Sequence, residues 1–131
     1  PRKMRILLTG GGGMVGQNIL EHESASEHEI LAPSRSELDL LDRSKIEAYL
    51  ENFSPDFVIH AAGRVGGIRA NIASPAEFLV ENLNMALNLF ESAHATGILR
   101  DLRLASLCRQ TVRLSPQTPM ADKGDDPRFR E

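Results

Sequence analysis

Short apolar runs alternate along the chain with longer segments in which apolar residues recur every three or four positions. Arg5–Thr9 is a continuous apolar run bounded by glycine, a pattern typical of a strand buried on both faces of a parallel sheet. Glu29–Ala32, which ends at Pro33, predicts a second strand, Asp56–Ala61 a third and Leu102–Ala105 a fourth. We therefore expect about four strands.

Three helices are predicted between these strands. The first follows a glycine run and extends to about Glu23. The second is opened by a capping box of Ser44 and Glu47, and the third begins near Pro75 and ends at Gly97. Strands that alternate with helices predict an α/β fold with a doubly wound parallel sheet. The apolar stripes are Ile46, Tyr49, Leu50 and Phe53 on the second helix, and Phe78, Leu79, Leu83, Leu87 and Phe90 on the third.

The character of the sequence changes near residue 109. Residues 109–131 are rich in arginine, aspartate and proline and carry few apolar residues, a composition typical of irregular or disordered chain. We predict one Rossmann unit over residues 1–108 and an irregular tail over 109–131. A chain of 131 residues is the usual size of one domain.

Composition excludes several classes of function. The formal net charge of -3 gives no electrostatic sign of nucleic-acid binding. The sequence also contains no run of ~18 apolar residues, the length that a membrane-spanning helix needs. Cys108 is the single cysteine and the four histidines are scattered, so we expect neither an internal disulfide nor a metal site. A soluble cytoplasmic protein is the expectation.

The glycine run carries the first functional signal. Gly10, Gly13 and Gly16 form a G-x-x-G-x-x-G pattern between a predicted strand and a predicted helix, the context that makes a dinucleotide-binding loop credible. Such glycines allow a tight turn, a close approach of the backbone to pyrophosphate, and close packing of helix on strand. A Walker-type loop is excluded, because no Gly-Lys-Ser/Thr follows. The alternative is a glycine-rich connection that binds nothing.

The end of the second strand bears on which cofactor is bound. NAD-binding proteins usually place an acid there for the ribose 2′-hydroxyl, whereas an arginine accommodates a 2′-phosphate. Here Arg35 stands between Ser34 and Ser36, and no acid follows the strand directly. We predict NADP(H) rather than NAD, with Arg35 as the 2′-phosphate contact; the alternative is an arginine solvated in a loop.

Several segments resemble one known family. They are GGGGMVGQNIL, SRSELDLLD and the stretch from Ala61 to Asn71, followed by Pro75, Phe78 and Asn82. Together, over residues 4–98, they are similar to GDP-L-fucose synthase, an extended short-chain dehydrogenase/reductase. That family is the NADPH-dependent epimerase/reductase of GDP-4-keto-6-deoxymannose.

The resemblance implies roles for individual residues. The loop Gly10, Gly13, Met14, Val15 and Gly16 would hold the pyrophosphate, and Arg35 would meet the 2′-phosphate. Family members often carry an arginine where this chain has Gly12, which would leave more of the NADP contact to Arg35. The remaining implied contacts are Asp39 and Leu40 near the adenine, and Ala61, Ala62 and Gly63 beside the nicotinamide-side ribose.

The catalytic part of the resemblance is incomplete. Ser106 falls on the family's catalytic serine and Cys108 on its acid/base cysteine, although both could be ordinary strand residues. The reaction class also needs a Tyr-x-x-x-Lys pair, in which the tyrosine donates a proton as hydride arrives. Tyr49 is the one tyrosine, and Phe53 stands four residues later. We therefore expect the chain to be inactive alone, as a truncated or frameshifted product or a fragment.

Other interpretations stay open on the sequence alone. The chain could be a catalytically dead NADP-binding module, or part of another nucleotide-sugar epimerase or dehydratase of the same superfamily. The resemblance implies a GDP-sugar substrate for the complete enzyme and a homodimer built on helices like 43–52 and 75–97. His60, at the end of a buried strand, is interpreted as a core residue, whereas Arg64 and Arg69 lie near the expected active-site rim.

Overall fold

A computed structural model describes residues 2–66, 73 and 75–97 of the chain. In this part of the chain three parallel strands form one sheet, and helices connect them, so the predicted α/β parallel-sheet fold is confirmed. The strands are β1 (Arg5–Thr9), β2 (Glu29–Leu31) and β3 (Phe57–His60). The helices are α1 (Met14–Glu21), a 3-10 helix (Glu23–Glu27), α2 (Arg43–Phe53) and α3 (Pro75–Ala95).

The strand order is β2-β1-β3, with β1 in the centre. Leu7 lies opposite Leu31 of β2 and opposite Val58 of β3. The connection from β1 to β2 therefore runs one way across the sheet, and the connection from β2 to β3 runs back the other way. Because parallel crossovers are right-handed, α1 and α2 lie on opposite faces. The reversal leaves a crevice outside the carboxyl ends of β1 and β3, where ligands bind in open α/β sheets.

The main core lies between the sheet and the helices α2 and α3. Leu7 and Val58 are fully buried on that face of the sheet. Ile46 and Leu50 of α2 and Leu89 of α3 pack against them and are fully buried as well. The burial of side chains of this size contributes roughly 1.5–3 kcal/mol each. This face fixes where α3 lies relative to the end of β3, and so fixes one wall of the crevice.

The start of α2 differs from the prediction. Asp42 is its N-cap, because the Asp42 carboxylate accepts a hydrogen bond from the Lys45 backbone N–H. Ser44, predicted to cap the helix, lies inside the first turn, and Glu47 accepts from Arg43 instead of closing a capping box. The predicted box is therefore wrong: aspartate two residues upstream supplies the charged acceptor that the first turn needs. The apolar stripe itself is confirmed, with Ile46, Leu50 and Phe53 buried and Tyr49 packed against them.

The buried face of α3 also differs from the prediction. Of the predicted stripe, Phe78 is buried, but four of its members are exposed. The buried face includes two polar residues, Asn82 and Ser92, whose side chains bond to backbone groups of neighbouring segments. Because α3 carries apolar residues on both sides, the periodicity of its sequence does not indicate which face is buried. The exposed members are Leu79, Leu83, Leu87 and Phe90.

Smaller differences concern element boundaries. Helix α1 ends at Glu21, and a 3-10 helix occupies the next residues, which the sequence did not predict. Strand β2 ends at Leu31 and β3 at His60, one residue earlier than expected in each case. Within the described part of the chain, no helix is both long enough and apolar enough to cross a membrane. The predicted strand Leu102–Ala105 and the predicted tail 109–131 lie outside the described residues.

Candidate functional site

A cavity of about 600 Å³ lies at the carboxyl ends of β1 and β3, where the crossover direction reverses. Its volume is in the range of small-molecule and cofactor sites, roughly 300–1,000 Å³. The loop after β1, the turn after β2, the segment after β3, two residues of α1 and two residues of α3 form its walls. The three connecting segments all follow the carboxyl ends of strands, at the same edge of the sheet.

The loop after β1 rests directly on the segment after β3. Gly10 has a φ of +76°, in the left-handed region that glycine adopts without strain. A Cβ at Gly10 would lie 2.6 Å from the carbonyl carbon of Ala61 and 2.6 Å from the Cα of Ala62. Because these are backbone atoms, a side chain could not be accommodated there. Gly10 is therefore required both by its conformation and by this contact.

At two of the other four glycines in this segment a side chain would clash with neighbouring atoms, and at the other two it would not. A Cβ at Gly16 would overlap the Gly10 carbonyl oxygen and lie 2.6 Å from the Gly11 Cα, so the glycine lets α1 pack onto the loop. A Cβ at Gly11 would lie 2.7 Å from the Ala32 Cβ. A Cβ at Gly12 would have no neighbour within 4 Å, and one at Gly13 would make only an ordinary contact.

The first turn of α1 is left open for an anion. Gly13 is the N-cap, it offers no side-chain hydrogen bond, and the first turn carries no acidic residue. Backbone N–H groups at a helix start are therefore available to phosphate, which the helix dipole also favours. The Gln17 side chain donates to the Gly11 carbonyl oxygen at 3.0 Å and ties the loop to α1. These features fit the pyrophosphate of a dinucleotide.

The turn after β2 is organised by one carboxylate. Both the backbone N–H and the hydroxyl of Ser34 donate to Glu37 Oε2 at 2.7 Å, and the Ser34 and Ser36 hydroxyls lie 2.9 Å apart. The backbone hydrogen bond from Ser34, reinforced by its hydroxyl, holds the pKa of Glu37 below its usual value. Both donors of Ser34 are thus bonded to Glu37, and these bonds restrain the turn that carries Arg35.

Two arginines of the cavity wall share one acid. Arg35 Nη2 lies 3.5 Å from Glu81 Oε1, and Arg64 Nη1 donates to Glu81 Oε2 at 2.6 Å. The Arg64 guanidinium also lies 4.7 Å from the centre of the Phe78 ring. Asn82 accepts from the Arg64 backbone N–H at 2.6 Å and donates to the Arg64 carbonyl at 3.0 Å. Arg64 therefore has partners for its guanidinium and for both backbone groups and is 46% exposed at its side chain, whereas the Arg35 side chain is 73% exposed.

Beneath the loop, Thr9 and His60 face each other across β1 and β3. The Thr9 hydroxyl and His60 Nδ1 lie 2.7 Å apart, and both residues are buried. Burial lowers the pKa of His60, because an imidazolium would lose its hydration there. His60 is thus a core residue that joins the two strands at the floor of the cavity, as the sequence indicated.

The structure brings together most of the predicted cofactor contacts. Three loop residues do not line the cavity: Gly16 lies buried under the loop, Val15 is half-buried, and Met14 is 79% exposed. Ser106, Cys108 and Arg69 lie outside the described residues. The predicted residues that line the cavity are Gly10, Gly13, Arg35, Asp39, Leu40, Ala61, Ala62 and Gly63.

Sequence reasoning missed part of the wall. Glu81 lies on α3, far along the chain from the loop, and no local motif marks it. Gly11 and Ala32 form a contact that only the crossover geometry creates. Glu37 could have been found, because Ser-x-x-Glu over residues 34–37 is the spacing of a capping box. In the described residues no group of His, Cys, Asp and Glu could hold a metal ion.

Comparison with known proteins places this geometry in a family. The sequence profile of the NAD dependent epimerase/dehydratase family matches residues 6–119. The chain belongs to the NAD dependent epimerase/dehydratase family. It is 52% identical over 105 residues to GDP-L-colitose synthase of Yersinia pseudotuberculosis, and 44% identical over 104 residues to GDP-L-fucose synthase of Azorhizobium caulinodans. The resemblance drawn from the segments between residues 4 and 98 is thereby confirmed.

Solved structures agree with the fold. A GDP-L-fucose synthetase from Naegleria fowleri bound to NADP matches 81% of this chain with a TM-score of 0.60 and 26% identity. A dTDP-4-dehydrorhamnose reductase from Bacillus anthracis in complex with NADP matches 79% of this chain with a TM-score of 0.65 and, at 22% identity, supports the fold alone. The chain spans about a third of the length of these relatives, with 34% and 33% of the colitose and fucose synthases covered and 31% of the Naegleria protein.

Proposed function

We propose that this chain is the cofactor-binding part of an NADPH-dependent epimerase/reductase that acts on a GDP-linked keto-sugar. The observation that carries the proposal is the cavity at the β1/β3 switch point, walled by a glycine loop, an open helix start and a turn with an exposed arginine. The sequence relatives, named as GDP-L-fucose and GDP-L-colitose synthases, support the GDP-sugar part of the proposal.

Arg35 is the proposed contact to the 2′-phosphate of NADP(H). Its side chain is 73% exposed on the cavity wall, at the tip of the turn that Ser34 and Glu37 fix. The pyrophosphate would lie on the loop around Gly10 and Gly13, and the nicotinamide-side ribose near Ala61. When bound, the reduced cofactor supplies the hydride for the keto carbon of the sugar.

The test of cofactor binding is calorimetric titration of the 131-residue chain with NADPH and NADH. We expect NADPH to bind more tightly, and Arg35→Ala to remove most of that preference, about tenfold or more, because it removes a charge-assisted contact worth ~1.5–3 kcal/mol. Arg2→Ala is the matched control, since Arg2 is an exposed arginine at the opposite end of β1 that pairs with Asp56. If the wild-type chain binds neither NADPH nor NADH, the proposal is contradicted.

Turnover by the isolated chain is not expected. The 131 residues contain one tyrosine, Tyr49, and no Tyr-x-x-x-Lys pair, so no group in the sequence matches the general acid of the reaction class. Tyr49 packs against the core through α2 and does not line the cavity. We expect no oxidation of NADPH when GDP-4-keto-6-deoxymannose is added. Formation of GDP-L-fucose by the purified chain would refute this part.

A GDP-L-colitose type of reaction is the second candidate. The colitose synthase of Yersinia is more similar to this chain, at 52% identity, than the fucose synthase of Azorhizobium, at 44%. Because the compared region is the cofactor-binding part, this difference bears on ancestry more than on the sugar site. The complete protein, given the keto-sugar precursor of each product separately, would decide between them by chromatography of the GDP-sugar formed.

A homodimer through α3 is also proposed. The exposed side of this helix carries an apolar surface, which we define as Leu79, Val80, Leu83, Leu87 and Phe90, with 36–55% of each residue exposed. A contiguous apolar surface of this kind on a protein usually marks a contact with another molecule. A second copy of the same helix would cover it symmetrically, as two-fold interfaces require.

Light scattering coupled to size-exclusion chromatography tests the dimer. Leu83→Lys and Leu87→Lys should each convert a dimer to a monomer without lowering the free energy of unfolding of the monomer, because both side chains are about half exposed. Asn84→Lys, an exposed polar position of the same helix, is the control and should leave the dimer intact. A monomeric wild-type chain at high concentration would overturn the proposal.

A further inference from the structure

We propose that Glu81 is a specificity-determining residue that competes with the cofactor's 2′-phosphate for Arg35. The inference rests on the proposed function, since it concerns how the same cavity distinguishes NADPH from NADH. The two carboxylate oxygens of Glu81 have unequal partners: Oε2 is bound closely by Arg64, and Oε1 is contacted loosely by Arg35.

Glu81 is fixed by its contact with Arg64. The Arg64 Nη1 bond to Glu81 Oε2 is 2.6 Å long, at the short end for a charge-assisted hydrogen bond. The position of Arg64 is restrained in turn: Asn82, which is 4% exposed, bonds to both its backbone N–H and its carbonyl, and its guanidinium lies 4.7 Å from the centre of the Phe78 ring. The Glu81 side chain is itself 18% exposed. A negative charge is therefore held at one place on the cavity wall.

Arg35 is the loosely held partner. Its Nη2 lies 3.5 Å from Glu81 Oε1, too long for a good hydrogen bond, and its side chain is largely exposed. Exposed ion pairs of this kind contribute about 0.2–1 kcal/mol. The contact draws the guanidinium of Arg35 from the turn after β2 towards α3. A 2′-phosphate, with more charge and three acceptor oxygens, would take Arg35 over but would first have to separate it from Glu81.

The competition affects the two cofactors differently. NADPH must displace the Glu81 contact and place its phosphate near a fixed negative charge, whereas NADH, which has a 2′-hydroxyl, does neither. Glu81 thus lowers affinity for the phosphorylated cofactor selectively. Glu81→Gln keeps the length of the side chain and an oxygen that can accept from Arg64, and it removes the charge.

The experiment compares the affinities of the 131-residue chain for NADPH and NADH by calorimetry. We expect Glu81→Gln to tighten NADPH binding about two- to fivefold, the factor equivalent to an exposed ion pair, and to leave NADH unchanged. In an Arg35→Ala background the same substitution should have no effect on NADPH. Glu91→Gln is the matched control, because Glu91 lies on the same helix and pairs with Arg43 outside the cavity.

Equal changes in NADPH and NADH affinity, or weaker NADPH binding by Glu81→Gln, would overturn the inference. Glu81→Met, which removes the charge at a similar length, replaces Glu81→Gln if thermal melting shows that the first variant is unfolded. The proposed function fails separately: it falls if the wild-type chain binds neither cofactor, or if Arg35→Ala leaves NADPH affinity unchanged. If Arg35→Ala weakens NADPH and loss of the Glu81 charge does not strengthen it, this inference alone is wrong.

Discussion

Replacement of Gly16 by alanine tests whether α1 needs direct contact with the glycine loop. The new Cβ would overlap the Gly10 carbonyl oxygen, lie 2.6 Å from the Gly11 Cα and lie 2.8 Å from the Gly10 carbonyl carbon, where ordinary contacts begin at 3.4 Å. All three neighbours are backbone atoms, so the strain can be relieved only by moving the start of α1 away from the loop. That movement would pull the open N–H groups out of position for phosphate.

The expected size follows from two opposing effects. Alanine inside a helix is favoured over glycine by up to about 1 kcal/mol. Overpacking costs about 1–3 kcal/mol, and overlap with backbone atoms places Gly16→Ala at the upper end of that range, so we expect the free energy of unfolding to fall by about 2 kcal/mol. NADPH affinity should fall further, by about tenfold or more, since each tenfold loss requires only ~1.4 kcal/mol.

Urea denaturation and calorimetric titration measure the two quantities on the same samples. Gly12→Ala is the matched control, because a Cβ at Gly12 would have no neighbour within 4 Å, and we expect its stability to stay within ~0.5 kcal/mol of wild type. If Gly16→Ala unfolds at the wild-type urea concentration and binds NADPH as tightly, the packing argument for the third motif glycine is refuted.

Three further predictions concern capping, a buried bond and pH. Asp42→Ala should destabilise the chain by about 1 kcal/mol and Ser44→Ala by less than ~0.5 kcal/mol, which urea denaturation of the two variants would show; the reverse order would restore the predicted capping box. Asn82→Leu should cost about 1–3 kcal/mol in the same assay, because it leaves two backbone groups of Arg64 without their partner, and a neutral result would mean that water replaces the amide. The pKa of His60 is lowered by burial, so the unfolded state takes up the proton first: stability should be full above the ordinary histidine pKa of about 6.5 and fall as pH decreases below it. His60→Gln should remove that part of the pH dependence, and an unchanged slope would assign it to other groups.

Local patterns predicted the parts of the fold that depend on neighbours in sequence. The apolar run at Arg5–Thr9 predicted a strand, and the stripe of α2 predicted the buried face of a helix. The spacing of the glycines predicted the loop between β1 and α1. The cavity could be anticipated from the sequence because the glycine loop and Arg35 follow directly after strands. These features need no knowledge of what packs against them.

The sequence predictions failed where contacts with residues far along the chain determine which side chains are buried. The inner face of α3 depends on the backbone of Arg64, which makes burial of the polar Asn82 favourable and leaves Leu83 outside. Glu81 acquires its role only when α3 and the turn after β2 meet at one cavity. In both cases the partner that decides the environment lies far along the chain, so no local pattern marks it.

The close approach of Gly10 to Ala62 couples the proposed nucleotide site to the pairing of β1 with β3. The site exists only when the loop after β1 and the segment after β3 have met, so a cofactor that binds there selects chains in which β1 and β3 are already paired. Such a ligand stabilises the paired state by about 2.7 kcal/mol at a concentration one hundred times its dissociation constant. Amide hydrogen exchange in β3, far in sequence from the glycine loop, should therefore slow when NADPH is added.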